Sequence, residues 1–238
     1  MGKTALRARD AQHGFEGTET MKILAISGSL RTASVNTAFL RTAATLTPYG
    51  VALVLYDGLG NLPHFNPELD KEPFPLAVAD FRSQLNSSAA VVISSPEYAH
   101  GIPGVLKNAL DWLVASGDLY EKPVALFNTS PRSSYAQASL AETLTVMMAR
   151  LVPEAFINVS PLSGMGNGKL CVTSSMIVPA RIERALATFV RAIDLTYAEA
   201  MREPNYEPMV TSLGDATTAG VALGKAAREN VADPSKEI

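Results

Sequence analysis

From residue 21 to residue 200 the chain alternates between short apolar runs and longer stretches in which apolar residues recur every three or four positions. The runs at 22–27, 51–56, 89–94, 123–127 and 155–159 have the length and composition of strands. They are continuous apolar blocks rather than strict alternations, the pattern of strands covered on both faces. The stretches between them predict helices over 34–46, 74–85, 103–115 and 136–150, with a long last helix over 178–200. In the first of these, Val35, Ala38, Phe39, Thr42 and Leu46 recur at helical spacing, and Pro48 and Gly50 stop it. Pro103 opens the third helix at a first-turn position, where a missing N–H is tolerated. Residues 57–75 read as a long loop rich in Pro, Gly and Asn.

Five strand–helix pairs in succession imply an α/β fold, a parallel sheet with helices on both faces. With the strands in the order 2-1-3-4-5, the winding reverses between strands one and three, and ligands bind beyond the carboxyl ends of the strands at that reversal. The polar ends fit this plan poorly. Residues 1–20 are expected to form a flexible N-terminal extension, 21–202 the domain, and 203–238 a polar tail punctuated by Pro204, Pro208 and Pro234. That tail is either mobile or packed as an arm on a neighbouring subunit.

Composition narrows the classes. The chain has 238 residues, 47% of them hydrophobic, enough for one large domain with a sizeable core. Twenty Lys and Arg against 23 Asp and Glu give a net charge of −3, which argues against a broad nucleic-acid surface. No apolar run approaches the ~20 residues that span a bilayer. The single cysteine, Cys171, forms no intrachain disulfide, as suits a reducing compartment. The expectation is a soluble, cytoplasmic protein with no nucleic-acid or membrane partner.

Two loops carry the candidate chemistry. Strand one runs into Gly28-Ser29-Leu30-Arg31-Thr32-Ala33-Ser34-Val35-Asn36 and then a helix. Gly28 permits a tight turn, Ser29, Thr32, Ser34 and Asn36 are short polar side chains, Arg31 is a permanent cation, and the helix start offers free N–H groups. That is what a phosphate monoester needs, although Ser34 could equally cap the helix and Arg31 be solvated. The loop is neither a dinucleotide fingerprint nor a Walker loop. Strand three runs into Ser95-Pro96-Glu97-Tyr98-Ala99-His100-Gly101-Ile102-Pro103-Gly104, whose prolines and glycines fix a shaped backbone for the polar edge of a planar ring. Tyr98 lines that ring or is a surface aromatic; Glu97 is solvated or caps a helix.

Gly28-Ser29-Leu30-Arg31-x-x-Ser34-x-Asn36, joined to Ser95-Pro96-Glu97-Tyr98 and to Gly101-x-Pro103-Gly104-x-Leu106-Lys107-Asn108-Ala109-x-Asp111-Trp112, resembles the NADPH-dependent FMN reductase family. The resemblance spans about residues 21–200 and implies a flavodoxin-like three-layer sandwich on a five-stranded parallel sheet of order 2-1-3-4-5. It implies FMN as cofactor, NADPH as co-substrate, and a ping-pong transfer of hydride to a small acceptor such as a quinone, azo compound, metal oxyanion or free flavin. Carried over residue by residue, Ser29, Arg31, Ser34, Val35 and Asn36 would hold the FMN phosphate. Pro96, Glu97, Tyr98 and Gly101 would border the ring, and Asn128, Thr129 and Ser130 would close its remaining side. Pro131-Arg132-Ser133 departs from the family's commoner Gly- or Ser-rich loop. After Tyr98, where many relatives carry Asn, this chain has Ala99-His100. A homodimer or homotetramer is also implied, with contacts through the third and fourth helices.

With the flavin as the reacting centre, neither a nucleophile nor a metal is called for. His100, beside the ring site, is a candidate substrate contact. His64 could reach a neighbouring subunit's site or be an exposed loop residue, and His13 falls in the extension. Cys171 is expected to be a small core or edge residue rather than a redox centre. Trp112, Met147 and Met148 suit either a subunit contact or ordinary core, and Arg132 is a weak candidate for NADPH's 2′-phosphate. Two other classes share the fold: an electron carrier passing single electrons to proteins, and a non-catalytic flavin-binding module.

Overall fold

The computed structural model describes residues 20–130, 134–159 and 177–200. His13, Pro131, Arg132, Ser133 and Cys171 lie outside these, as do the expected extension, apart from its last residue, and the expected tail beyond residue 200. The chain divides into two units, Met1–Tyr197 and Ala198–Ile238, and the architecture below belongs to the first.

Six parallel strands make the sheet: β1 (Met21–Ser27), β2 (Val51–Tyr56), β3 (Ala90–Ser94), β4 (Pro123–Asn128), β5 (Arg150–Leu151) and β6 (Ile157–Asn158). The order is β2-β1-β3-β4-β5, and β6 also pairs with β4. The register sets Ser27 opposite Ser94, and Asn128 opposite Asn158. The chain thus leaves β1, β3 and β4 at one carboxyl edge.

The helices are α1 (Val35–Ala44), α2 (Leu76–Asn86), α3 (Gly104–Asp111), α4 (Ser134–Val146) and α5 (Ile177–Ala200). Alternate strand residues point to opposite faces, and the core divides accordingly. Leu24, Ile26, Val91, Ile93, Val124 and Leu126 pack against α2, α3 and α4 through Phe81, Leu106 and Leu140. Ile23, Ala25, Val92, Ala125 and Phe127 pack against α1 and α5 through Phe39, Leu186 and Phe189. Both faces are covered, which makes the expected three-layer sandwich.

The fifth strand departs from expectation. The helix predicted over 136–150 stops at Val146 and its expected last residue, Arg150, opens the short strand β5 instead; the strand predicted over 155–159 shortens to β6, entered through a 3₁₀ turn at Pro153–Ala155. Met147, Met148 and Ala149 are good helix formers, so nothing local announces the stop. It is tertiary: Met148 turns left-handed (φ 58°), its carbonyl accepts from Glu121 N at 2.9 Å, and Arg150 N donates to Lys122 O at 3.0 Å. The ladder to β4 outweighs the helical preference of that short segment.

Candidate functional site

The loop after β1 is built around hydroxyls. Ser27 Oγ and Thr37 Oγ1 are 2.8 Å apart, and Ser34, the N-cap of α1, accepts from Thr37 N at 3.2 Å. Ser34 is therefore a helix cap, as one of its two sequence readings has it. Asn36 is buried and central: its Oδ1 accepts from Ser94 Oγ at 2.9 Å and from Thr129 Oγ1 at 2.8 Å. One amide oxygen thus ties the first turn of α1 to the ends of β3 and β4, and Nδ2 keeps no protein partner among the described residues. Arg31 and Thr32 are exposed, Ser29 and Val35 half-buried, and the first turn of α1 holds no acidic residue. From Met21 to Tyr56 the sequence contains neither Asp nor Glu. A helix N-terminus, a cation, an amide donor and no carboxylate form a donor set that fits a phosphate monoester.

Gly28 is required by a close approach. A Cβ there would lie 2.7 Å from Ser95 Oγ and 3.2 Å from Leu106 Cδ2, while Gly28 N donates to Ser94 O at 2.8 Å. Only a residue without a side chain lets the first loop lie against the start of the second.

The second loop folds back as a tight hairpin. Tyr98 N donates to Gly101 O at 3.0 Å and Gly101 N to Tyr98 O at 2.9 Å. The two residues between, Ala99 (φ 50°) and His100 (φ 63°), are both left-handed. Neither is Gly, Asn or Asp, so this backbone costs roughly 1–2 kcal/mol per residue. Tyr98 is 54% exposed at the mouth. Glu97 reaches across to α4, where its Oε2 accepts from Ala136 N at 2.9 Å, so it caps a helix, though not its own. Its negative charge suits that helix start.

The third loop joins them. Asn128 Nδ2 donates to Gln137 Oε1 at 2.8 Å, and its Oδ1 accepts from Ser130 N at 2.9 Å. A small cleft beside it is lined by Ile93, Ser95, Phe127, Asn128, Ala136 and Gln137. The three loops thus converge on one edge, bringing Ser29, Arg31, Asn36, Pro96, Tyr98, Gly101 and Thr129 into one neighbourhood. Asn36 Oδ1, Thr129 Oγ1 and Glu97 Oε2 hold the loops to their neighbours, while Ser34 and Asn128 brace the segments they stand in.

Sequence reasoning missed Tyr135. Its ring stacks on His100 with centroids 4.2 Å apart and 20° between planes. The available signal was its place in the first turn after strand four, beside the third loop. Elsewhere, Asn108 and Trp112 of α3 pin the loop after β2: Asn108 Nδ2 and Trp112 Nε1 donate to Pro63 O, and Asn108 Oδ1 accepts from Phe65 N. His64 sits between these anchors with its side chain exposed, and Trp112 is fully buried core. Met147 packs against the core, whereas Met148 is 56% exposed. Among the described residues no group of three or more His, Cys, Asp or Glu is placed to hold a metal ion, and no helix is long and apolar enough to cross a membrane.

A doubly wound parallel sheet of order 2-1-3-4-5, with an anion-fitting loop and a shaped ring-side loop at its switch point, defines a flavodoxin-like protein. Residues 21–161 match the family model described as NADPH-dependent FMN reductase, and the chain belongs to that family. An NAD(P)H-dependent FMN reductase of Pseudomonas aeruginosa is 31% identical over 183 residues, covering 74% of this chain and 98% of the relative. A quinone reductase of Escherichia coli K12 is 32% identical over 116 residues, covering 48% of this chain and 62% of its own. Among solved structures, the flavoenzyme NAD(P)H:(acceptor) oxidoreductase FerB of Paracoccus denitrificans superposes with a TM-score of 0.60 at 22% identity, covering 72% and 98% of the two chains. The chain is an oxidoreductase with FMN as its cofactor and NADPH as its co-substrate.

Proposed function

We propose that residues 21–202 form an FMN-dependent NAD(P)H oxidoreductase domain that transfers hydride from NADPH by way of FMN to a small acceptor, in a ping-pong sequence. Quinones, azo compounds, metal oxyanions and free flavin are the acceptor classes, and the Escherichia coli relative is itself a quinone reductase. FMN, when bound, supplies the two-electron transfer chemistry. The protein binds and orients. The N–H groups at the start of α1, with Ser29, Arg31, Ser34, Val35 and Asn36, hold the phosphate; Pro96, Glu97, Tyr98 and Gly101 border the ring; Asn128, Thr129 and Ser130 close the third side. The observation that carries this reading is the Asn36 junction, where one side chain in the first turn of α1 joins that anion-fitting helix start to the exits of β3 and β4. A homodimer or homotetramer belongs to the same reading, supported by Val114, Tyr120, Val146 and Met148, which lie exposed at or just beyond the ends of α3 and α4.

The test is a visible absorption spectrum of the purified protein before and after anaerobic NADPH. Flavin bands near ~450 nm that bleach on addition are the expected result. A flavin that binds yet stays oxidised favours an electron carrier or a binding module. Failure to bind FMN when it is supplied removes the phosphate-loop assignment.

A further inference from the structure

We propose that His100 and Tyr135 form a stacked aromatic wall that selects planar two-ring quinones over non-planar acceptors; this rests on the oxidoreductase reading above. The two rings come from different elements, the hairpin after β3 and the first turn of α4, and lie 4.2 Å apart within 20° of parallel. Both residues are exposed, Tyr135 at 59%. A stack between two exposed rings covers one face of each and leaves the other faces open.

The backbone holds this pair from both sides. His100 is carried on a hairpin closed by two hydrogen bonds between Tyr98 and Gly101, with Ala99 and His100 both left-handed. Side chains that disfavour this conformation persist only where the surroundings impose it, and such positions gather at ligand sites. Tyr135 is fixed through its neighbour, since Glu97 of the same hairpin loop accepts from Ala136 N at 2.9 Å. The wall therefore keeps its spacing without relying on the weak attraction of the rings alone. Tyr98, half-exposed in the same hairpin, puts a further aromatic ring near the mouth.

A flat fused-ring acceptor can continue such a stack and cover apolar ring surface on two sides, and offset stacking of this kind is specific to planar π-systems. An octahedral inorganic complex has no flat face to offer. The wall thus acts on the affinity for planar acceptors.

Steady-state kinetics of the FMN-loaded full chain test this with a naphthoquinone and with ferricyanide as acceptors. His100→Ala and Tyr135→Ala are each expected to raise the naphthoquinone KM about tenfold, the double variant scarcely further, as for two halves of one stack. Ferricyanide kcat/KM changes by less than about twofold, and His100→Phe, which keeps a flat ring, retains the low KM. An unchanged naphthoquinone KM in both single variants overturns the wall. So does an equal loss with both acceptors, or a His100→Phe variant no better than alanine. Failure of the oxidoreductase reading shows separately, in wild-type protein whose flavin NADPH does not bleach.

Discussion

Asn36 is a strut between elements and, on the proposed reading, a ligand group as well. Its oxygen serves Ser94 and Thr129, so it is spent on the protein, while Nδ2 stays available on the side of the phosphate loop. Asn36→Asp keeps the acceptor for both hydroxyls and replaces the donor with a negative charge. A carboxylate at the second position of α1 is favoured by the helix dipole but is costly to bury and would repel a phosphate bound at that helix start. The expected outcome is a folding stability lowered by about 1–3 kcal/mol and an FMN dissociation constant raised at least about tenfold. Quenching of flavin fluorescence on titration measures the second. Unchanged FMN affinity would show that Asn36 is a strut alone.

Among the elements, what matters is how closely the loop after β1 lies on the loop after β3. Gly28 sets that distance, because a Cβ would stand 2.7 Å from Ser95 Oγ and 3.1 Å from Ser95 Cβ. Gly28→Ala forces Ser95 to rotate or the two loops to part, at a cost of about 1–3 kcal/mol, as for other overpacked positions. The proposed FMN-phosphate and ring-side groups then separate, so FMN affinity falls along with stability. Urea unfolding of the apoprotein and FMN titration on the same variant measure both. A variant as stable as wild type, with unchanged FMN affinity, would show that Ser95 moves aside freely. The second junction, Glu97 on the start of α4, explains why the ring-side loop and the third loop hold together across a gap in the sequence of 39 positions.

At the scale of the whole molecule, a part-buried lysine and a buried tyrosine among the described residues shape the alkaline stability curve. Burial pulls the Lys122 ammonium below its ordinary value of 10.5, with Asp118 opposing, while its Nζ donates to Ser88 O and Leu85 O. Below 10.5 the unfolded chain then binds more protons than the native one, so this group's contribution to stability rises with pH toward that value. Burial, aided by the charges of Asp80 and Asp57, pushes the Tyr56 hydroxyl from 10.0 up to about 12. Here the native state holds the extra proton, so stability present below pH 10 is lost as pH rises from about 10 to about 12. The Tyr56 hydroxyl is buried and makes no well-formed hydrogen bond among the described residues, although Asp80 lies near enough to help hold its proton. Tyr56→Phe is therefore expected to be nearly neutral at pH 8 and to flatten the decline above pH 10, as read from denaturation midpoints across pH 8–12. An undiminished decline in the variant would assign it to other groups.

The fold was legible in the sequence because a strand buried on both faces has to be a continuous apolar block, and a helix on its surface has to repeat with its own period. Blocks such as Val51–Tyr56 and the periodic helix after Asn36 left little choice of element, and their alternation left little choice of sheet. The two motif loops stood out for a related reason: their residue types are those that a phosphate and a planar ring would ask for at strand exits. The early end of α4 and the short β5 were not legible, since they rest on Glu121 N donating to Met148 O and Arg150 N donating to Lys122 O, partners from a distant part of the chain. Nor could the sequence say that Glu97 caps a different helix from the one it precedes, or that His100 meets Tyr135. Local patterning settles which elements form, because it depends on neighbours in the chain. Which side chains meet across the carboxyl edge of the sheet depends on strand order and register, and only the folded chain decides that.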